Sequence, residues 1–406
     1  VESIEQTFNG TPDFGKKVSA TLARNGDLLH RVMLEVTFSQ LALNANTNWA
    51  AFGNYLGERL LKYIDIEIGG QRIDRHYGEW LHIWNQLTLP AGQESGYHKM
   101  IGHTPANING STEVATKLDS QTIYIPLQFW FCRNAGLALP LIALQYHEVK
   151  INIEFETLAN VAMNYKDGET SFTTPSVTMD AASLYVDYIY LDADERRRFA
   201  QLSHEYLIEQ LQFPGEETIT VTSNKIKLAF NHPVKEIVWV AQRTGLKDNL
   251  KQPFNYTTAF DYSPMATDSH TGNIMLNLVK NAFKAGTDGL VFNDGHADTG
   301  KNTISKAKLQ LNGQDRFAER SGDYFNLVVP HYHHTRTPNT GINVYSFGLK
   351  PEEHQPSGTC NFSRIDNANL FITVESDTLK DVTINNNSIN AVINPTTDGG
   401  NSAAKV

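Results

Sequence analysis

Cysteine is almost absent from this 406-residue chain: Cys132 and Cys360 are the two it has. A secreted scaffold stapled by disulfides needs more, so the expectation is a fold held by buried apolar surface, with two free buried thiols. Basic charge is in deficit too. Lys and Arg total 34 against 44 Asp and Glu, a formal net charge of −10 with a sequence pI near 5.8, so no global positive field exists to hold nucleic acid directly. Long apolar runs are missing. The longest nearly apolar stretch, 136–144, is too short to cross a bilayer and contains Pro140. The first residues do not read as a signal peptide, and the lack of a methionine at position 1 suggests a chain that begins inside a longer product. Charged residues make up only 19%. Asn, Thr, Gly and aromatics are plentiful instead, which suits a β protein with long ordered loops.

What is present is a repeat. Residues 64–80, IDIEIGGQRIDRHYGEW, return in altered form as residues 307–324, AKLQLNGQDRFAERSGDY. Ile64, Ile66 and Ile68 alternate with Asp65 and Glu67, and Ala307, Leu309 and Leu311 alternate with Lys308 and Gln310, the period-two pattern of a half-buried strand. Each strand breaks at Gly69-Gly70 or Asn312-Gly313, where positive φ is cheap. With one inserted residue, Gly78-Glu79-Trp80-Leu81 matches Gly322-Asp323-Tyr324-Phe325. Self-similarity at this spacing implies two like domains, placed at 1–214 and 215–406 with the boundary at Pro214-Gly215.

Strand patterns run through both halves. In the first they cover 17–22, 29–38, 121–131, 148–155 and 183–191, with an Asn-Gly turn at Arg24–Asp27 that reads as a hairpin. Residues 77–87 place Trp80, Ile83, Trp84 and Leu87 on one helical face, expected to plug one end of a sandwich, with Trp80 and Tyr324 capping matching ends. Residues 88–121 and 156–180 read as long loops. A charged run, 192–198, and a strand-like stretch, 206–213, lead to the boundary. The second half repeats the order: 219–230 and 234–242 around Asn231-His232-Pro233, an insertion at 243–303 with a helix expected at 274–283, then strands at 342–349 and 369–375. The resulting class is all-β, two tandem jelly-roll sandwiches with long loops and a few short helices.

The segments GKKVSATLARNGDLL, IEIGGQRIDRHYGEW, GLALPLIALQYHEVKI, HEYLIEQLQF, KLQLNGQDRFAER and QPSGTCNFSRIDNANL, spread from Gly15 to Leu370, resemble the major capsid proteins of nucleocytoplasmic large double-stranded DNA viruses, nearest the algal-virus, phycodnavirus-like branch. The resemblance implies a double jelly roll whose homotrimer forms a pseudo-hexagonal capsomer. It also implies neighbouring capsomers and minor capsid proteins as partners in a virion shell, and surface glycans. Loops 88–121, 156–180, 243–303 and the tract after Glu375 would build outward towers and trimer contacts. In that family an arm precedes the position of Val1 and one or two strands follow that of Val406, so the C-terminal strand of the second barrel is expected to be missing here, leaving an open edge.

No set of residues composes a catalytic site, and no cofactor or metal is expected. His331, His333 and His334 could ligate a transition metal, but the next carboxylate, Glu352, lies too far along the chain for the local cupin pattern. Asn293–Asp298 lacks the later glutamate of a calcium loop. Asp13-Phe14-Gly15 has no kinase companions. Ser203-His204 and Ser269-His270 would point to opposite faces of a strand. Of the Asn-x-Ser/Thr sequons, Asn109 and Asn255 fall in loops expected to face outward and are the candidate glycan sites. Two other classes remain. A glycan-binding β-sandwich attachment protein would need an aromatic-lined outer site, and a cupin-like metalloenzyme would need metal at the three histidines.

Overall fold

Period-two segments rich in Val, Ile, Leu and aromatics fit a pleated surface with one face covered, and here they pair into sheets. The computed structural model describes residues 1–406 apart from 43–48, 111–117, 166–171, 250, 259–265, 268–273, 276–282, 287–288, 293–300, 380, 385–390, 395–401 and 406. In the first half one antiparallel sheet has the order Glu2–Gln6, Met179–Ile189, Leu28–Phe38, Gln121–Pro126, with Leu139–Pro140 as a short extra partner of Leu28–Phe38. The other has the order Lys17–Thr21, Val149–Phe155, Leu61–Ile68, Gln71–Tyr77. Val32, Leu34 and Val36 from the first sheet and Ile64, Ile66, Ile151 and Ile153 from the second share one core.

The second half repeats that order strand for strand. Glu216–Ile219, Ser402–Lys405, Glu236–Arg243 and Asn343–Ser346 make one sheet; Ser223–Lys227, Ala368–Val374, Ile304–Leu311 and Gln314–Asp315 make the other. The register repeats as well: Ile64 faces Ile153 and Ile66 faces Ile151 across one strand pair, as Ala307 faces Ile372 and Leu309 faces Leu370 across the other. These opposed apolar pairs lock register, because a one-residue slip would turn every one of them to the outer face. Each half is therefore a jelly roll. Ser402–Lys405 lies between Glu216–Ile219 and Glu236–Arg243, in the slot that Met179–Ile189 fills in the first barrel.

The shared glycine turns are true hairpins. Gly69 and Gly70 have φ of 61° and 83°, and Asn312 and Gly313 have φ of 49° and 81°, the doubly positive pattern of a two-residue turn whose twist matches its strands. Asn312 also accepts from Asp366 N and Asn367 N through its side-chain oxygen, tying the turn to the chain entering the neighbouring strand. The Arg24–Asp27 turn, by contrast, is no hairpin. Lys17–Thr21 and Leu28–Phe38 belong to opposite sheets, so the turn carries the chain across the barrel, and Asn231-His232-Pro233 does the same in the second half. Gly26 is needed there because an added Cβ would press on Tyr188, not because its backbone is left-handed.

Several other expectations are corrected. The 88–121 tract holds two helices, Ala91–Met100 and Pro105–Asn109. The charged run is a helix, Ala193–Gln201, whose N-terminus is capped by the Asp192 carboxylate accepting from Asp194 N and Glu195 N. Residues 206–213, strand-like in sequence, join no sheet and no helix. Of the helix expected at 274–283, Ile274–Met275 is strand and 276–282 lie outside the described residues, as do all of residues 293–298 of the calcium-like loop. Both cysteines are free, as expected, but only partly buried. Among the described residues no helix is long and apolar enough to cross a membrane.

Candidate functional site

The Gly78–Thr88 helix has two apolar faces, and they serve different barrels. Leu81 joins the first core. Ile83 and Leu87 belong to the core cluster of the second barrel, and Trp80 packs against that cluster too. The helix therefore bridges the barrels, and Trp80 does not cap its own; Tyr324 packs against the second core. Periodicity reports how wide an apolar stripe is. It is silent on which neighbour covers it.

Beneath this helix lies a buried polar knot. The Glu58 side chain is 1% exposed, and its carboxylate accepts from Tyr97 OH at 2.7 Å and Asn85 Nδ2 at 3.0 Å, while His82 Nδ1 lies 2.8 Å from its other oxygen. Burial, followed by the Glu58 charge, holds the Tyr97 hydroxyl well above the usual tyrosine range. The second half reaches in to close the knot. Phe254 stacks on His82 with centroids 4.4 Å apart, and the Lys251 carbonyl accepts from Arg59 Nη2 at 2.7 Å. Arg336 Nη2 lies 2.5 Å from Glu94, and Arg336 N donates to Leu87 O. Buried charges this well supplied with partners fix one relative placement of two bodies.

The 206–213 segment also ties the barrels, lining with both of them a cleft of about 530 Å³. Glu209 pairs with Arg133 of the first barrel at 2.7 Å and with Lys235 of the second. Leu211 N donates to Asp74, and Asn231 N donates to Gln212 Oε1.

Of the three histidines weighed as metal ligands, His331 is exposed and His333 Nδ1 meets the Leu349 carbonyl at 2.9 Å. His334, with a side chain 0% exposed, sits between Glu236 at 2.8 Å and Glu352 at 2.9 Å. Glu352, remote in sequence, is thus in contact after all, as an ion-pair partner; Thr335 N and Oγ1 also donate to it. Among the described residues no group of three or more His, Cys, Asp or Glu is placed to hold a metal ion. Burial by itself would lower the His334 pKa, but the bonds and charges of Glu236 and Glu352 outweigh it and push the value up to about 9. Burial raises Glu352, and the His334 and Thr335 bonds more than reverse this, leaving it below the usual range.

A raised histidine stabilises the fold fully below its unfolded pKa of 6.5 and loses that contribution as pH climbs through about 9. The lowered Glu352 acts in the opposite sense, present above 4.5 and lost on acidification. The expected outcome is a fall of order 2 kcal/mol in unfolding free energy between pH 6.5 and 9, from about 1.4 kcal/mol per pKa unit moderated by partial solvation. It should be absent in His334→Gln, as denaturant titrations across that range would show. Equal slopes in the two proteins would remove this ion pair from the account.

Of the candidate glycan sites, Asn109 ends the Pro105–Asn109 helix and its side chain lies outside the described residues. Asn255 is 1% exposed. Its Nδ2 donates to Gln252 Oε1, and its Oδ1 accepts from Thr257 N and Oγ1. The sequon hydroxyl and amide are thus spent on an internal turn, and this fold does not present Asn255 on an outward loop.

Comparison with known proteins converges on one family. Residues 1–192 match a model described as major capsid protein N-terminus, and residues 195–397 one described as large eukaryotic DNA virus major capsid protein. The major capsid protein of Pyramimonas orientalis virus is 48% identical, over 95% of this chain and 87% of its own length. That of Phaeocystis pouchetii virus is 46% identical, over 94% and 87%. Among solved structures, a quasi-atomic model of the PBCV-1 virus capsid superimposes with a TM-score of 0.70 at 36% identity, covering 100% of this chain and 91% of its counterpart. The Faustovirus major capsid protein shares the fold at 12% identity and a TM-score of 0.73, covering 100% and 88%. With one jelly roll present twice and locked across a buried junction, the chain belongs to the large eukaryotic DNA virus major capsid protein family.

Proposed function

We propose that this protein is the structural tile of a virion shell: three copies close into a pseudo-hexagonal capsomer, and capsomers join edge to edge with minor capsid proteins between them. The observation that carries this reading is the identical strand order of the two halves. Two like barrels in one chain, rotated about a threefold axis, give six similar bodies at the corners of a hexagon, and a closed ring needs a heterologous contact between unlike surfaces. The knot around Glu58 supports it further, since a tile must keep its two barrels at a fixed angle. Loops within the 88–121 and 156–180 tracts and the insertion 243–303 would carry contacts between copies, since loops can change without disturbing the sheets. No catalytic step is part of this role, and the relatives are themselves named capsid proteins. Sedimentation equilibrium of the purified chain is expected to return three chain masses; a stable monomer or dimer would overturn the capsomer.

A further inference from the structure

The helix that locks the two barrels together has a counterpart whose corresponding face is exposed among the described residues. Aligning Gly78 with Gly322, the pairing fixed by the repeat, sets Leu81 against Phe325, Ile83 against Leu327, Trp84 against Val328 and Thr88 against Tyr332. The inward position behaves alike in both copies: Leu81 is 1% exposed and Phe325 0%. The outward positions do not. Ile83 and Trp84 are buried at the junction, whereas Leu327 and Val328 are 48% and 40% exposed and Tyr332 is 75% exposed. Leu349, 72% exposed, adjoins them through its carbonyl, which accepts from His333 Nδ1. Scattered surface apolar residues need no explanation; Leu327 and Val328, at the positions where Ile83 and Trp84 of the sister helix meet the other barrel, with Tyr332 and Leu349 exposed beside them, do.

We infer that Leu327, Val328, Tyr332 and Leu349 dock on the first barrel of a second copy of this chain, repeating between molecules the contact that Ile83 and Trp84 make within one. The inference rests on the threefold capsomer proposed above and names the face that closes it. The occupant follows from the internal joint. There the first-barrel helix meets the end of the second barrel carrying the Asn231-His232-Pro233 turn and the 351–359 segment, which together with Trp80, Ile83 and Trp84 line the cleft. The matching end of the first barrel carries the Arg24–Asp27 turn, held to the 139–148 segment by Ile142 N donating to Asp27 O and Arg24 Nη2 donating to Leu144 O. That segment presents Tyr146, 93% exposed. Each copy thus offers one docking helix and one receiving end, the arrangement that closes under rotation.

The test uses the full chain and reads mass in solution. The wild type is expected as a trimer, the double variant Leu327→Asp with Val328→Asp and the single variant Tyr146→Arg as folded monomers, and Val221→Asp, at a position exposed elsewhere on the second barrel, as a trimer. Circular dichroism confirms folding. Should the double variant fail to fold, a Leu327→Cys chain replaces it: its thiol is expected to resist maleimide in the trimer and to react once the trimer is diluted apart, while Val221→Cys reacts in both states. A wild-type monomer would overturn the capsomer itself. A wild-type trimer whose double variant still trimerises, or whose Leu327→Cys stays reactive, would leave the capsomer standing and overturn this face.

Discussion

An Ile66→Asp chain is expected to yield no soluble folded protein. Ile66 is 0% exposed on a central strand, paired with Ile151 on one side and Asp74 on the other, inside a cluster of apolar side chains. A carboxylate placed there without a partner costs several kcal/mol even after neutralising itself, set against a total stability of about 5–15 kcal/mol. The neighbouring residue shows that the partner decides the outcome. Asp65, on the opposite face of the same strand, is 4% exposed yet tolerated, because Arg75 donates to both of its oxygens at 2.5 and 2.6 Å and lies over the Tyr63 ring. Leu309→Asp, the equivalent change in the second barrel, should behave as Ile66→Asp does, since Leu309 is 1% exposed and faces Leu370. Soluble yield and sedimentation read the result. Recovery of a normal yield of soluble, folded protein from Ile66→Asp would contradict the core assignment.

Gly78→Ala and Gly322→Ala should each lower stability by about 3 kcal/mol, the upper end of what overpacking costs when backbone has to move. Neither glycine has the positive φ that commonly explains one. They are required for room. A Cβ at Gly78 would overlap the carbonyl oxygens of Glu58 and Leu61, and one at Gly322 would overlap that of Ile304. Leu61 and Ile304 each begin the repeated strand, so both glycines let the following helical segment start hard against that strand's first residue. At Gly78 one of the two displaced carbonyls is that of Glu58, so the strain reaches the polar knot directly. Gly92→Ala is the control: an added Cβ there meets open space in the Ala91–Met100 helix, and alanine should be neutral or stabilising by up to about 1 kcal/mol. Denaturant unfolding of the three variants measures the contrast. Similar midpoints for all three would show that the helix starts tolerate a side chain.

Sequence by itself determined the strands whose inner row is apolar, the two positive-φ hairpins, the Gly78–Thr88 helix and the doubling of the barrel, because each is written in a local period or turn chemistry that survives in both copies. Tertiary structure alone decided what lies across from those patterns. Arg24–Asp27 became a crossing between sheets, since an Asn-Gly pair bends the chain without choosing the sheet it enters next. The outer stripe of the Gly78–Thr88 helix went to the other barrel; Glu352 came to His334 across a span no local motif covers; and Asn255 turned inward to hold its own loop. In each of these the deciding partner sits far along the chain, and a residue's period or sequon carries no record of what will be packed against it.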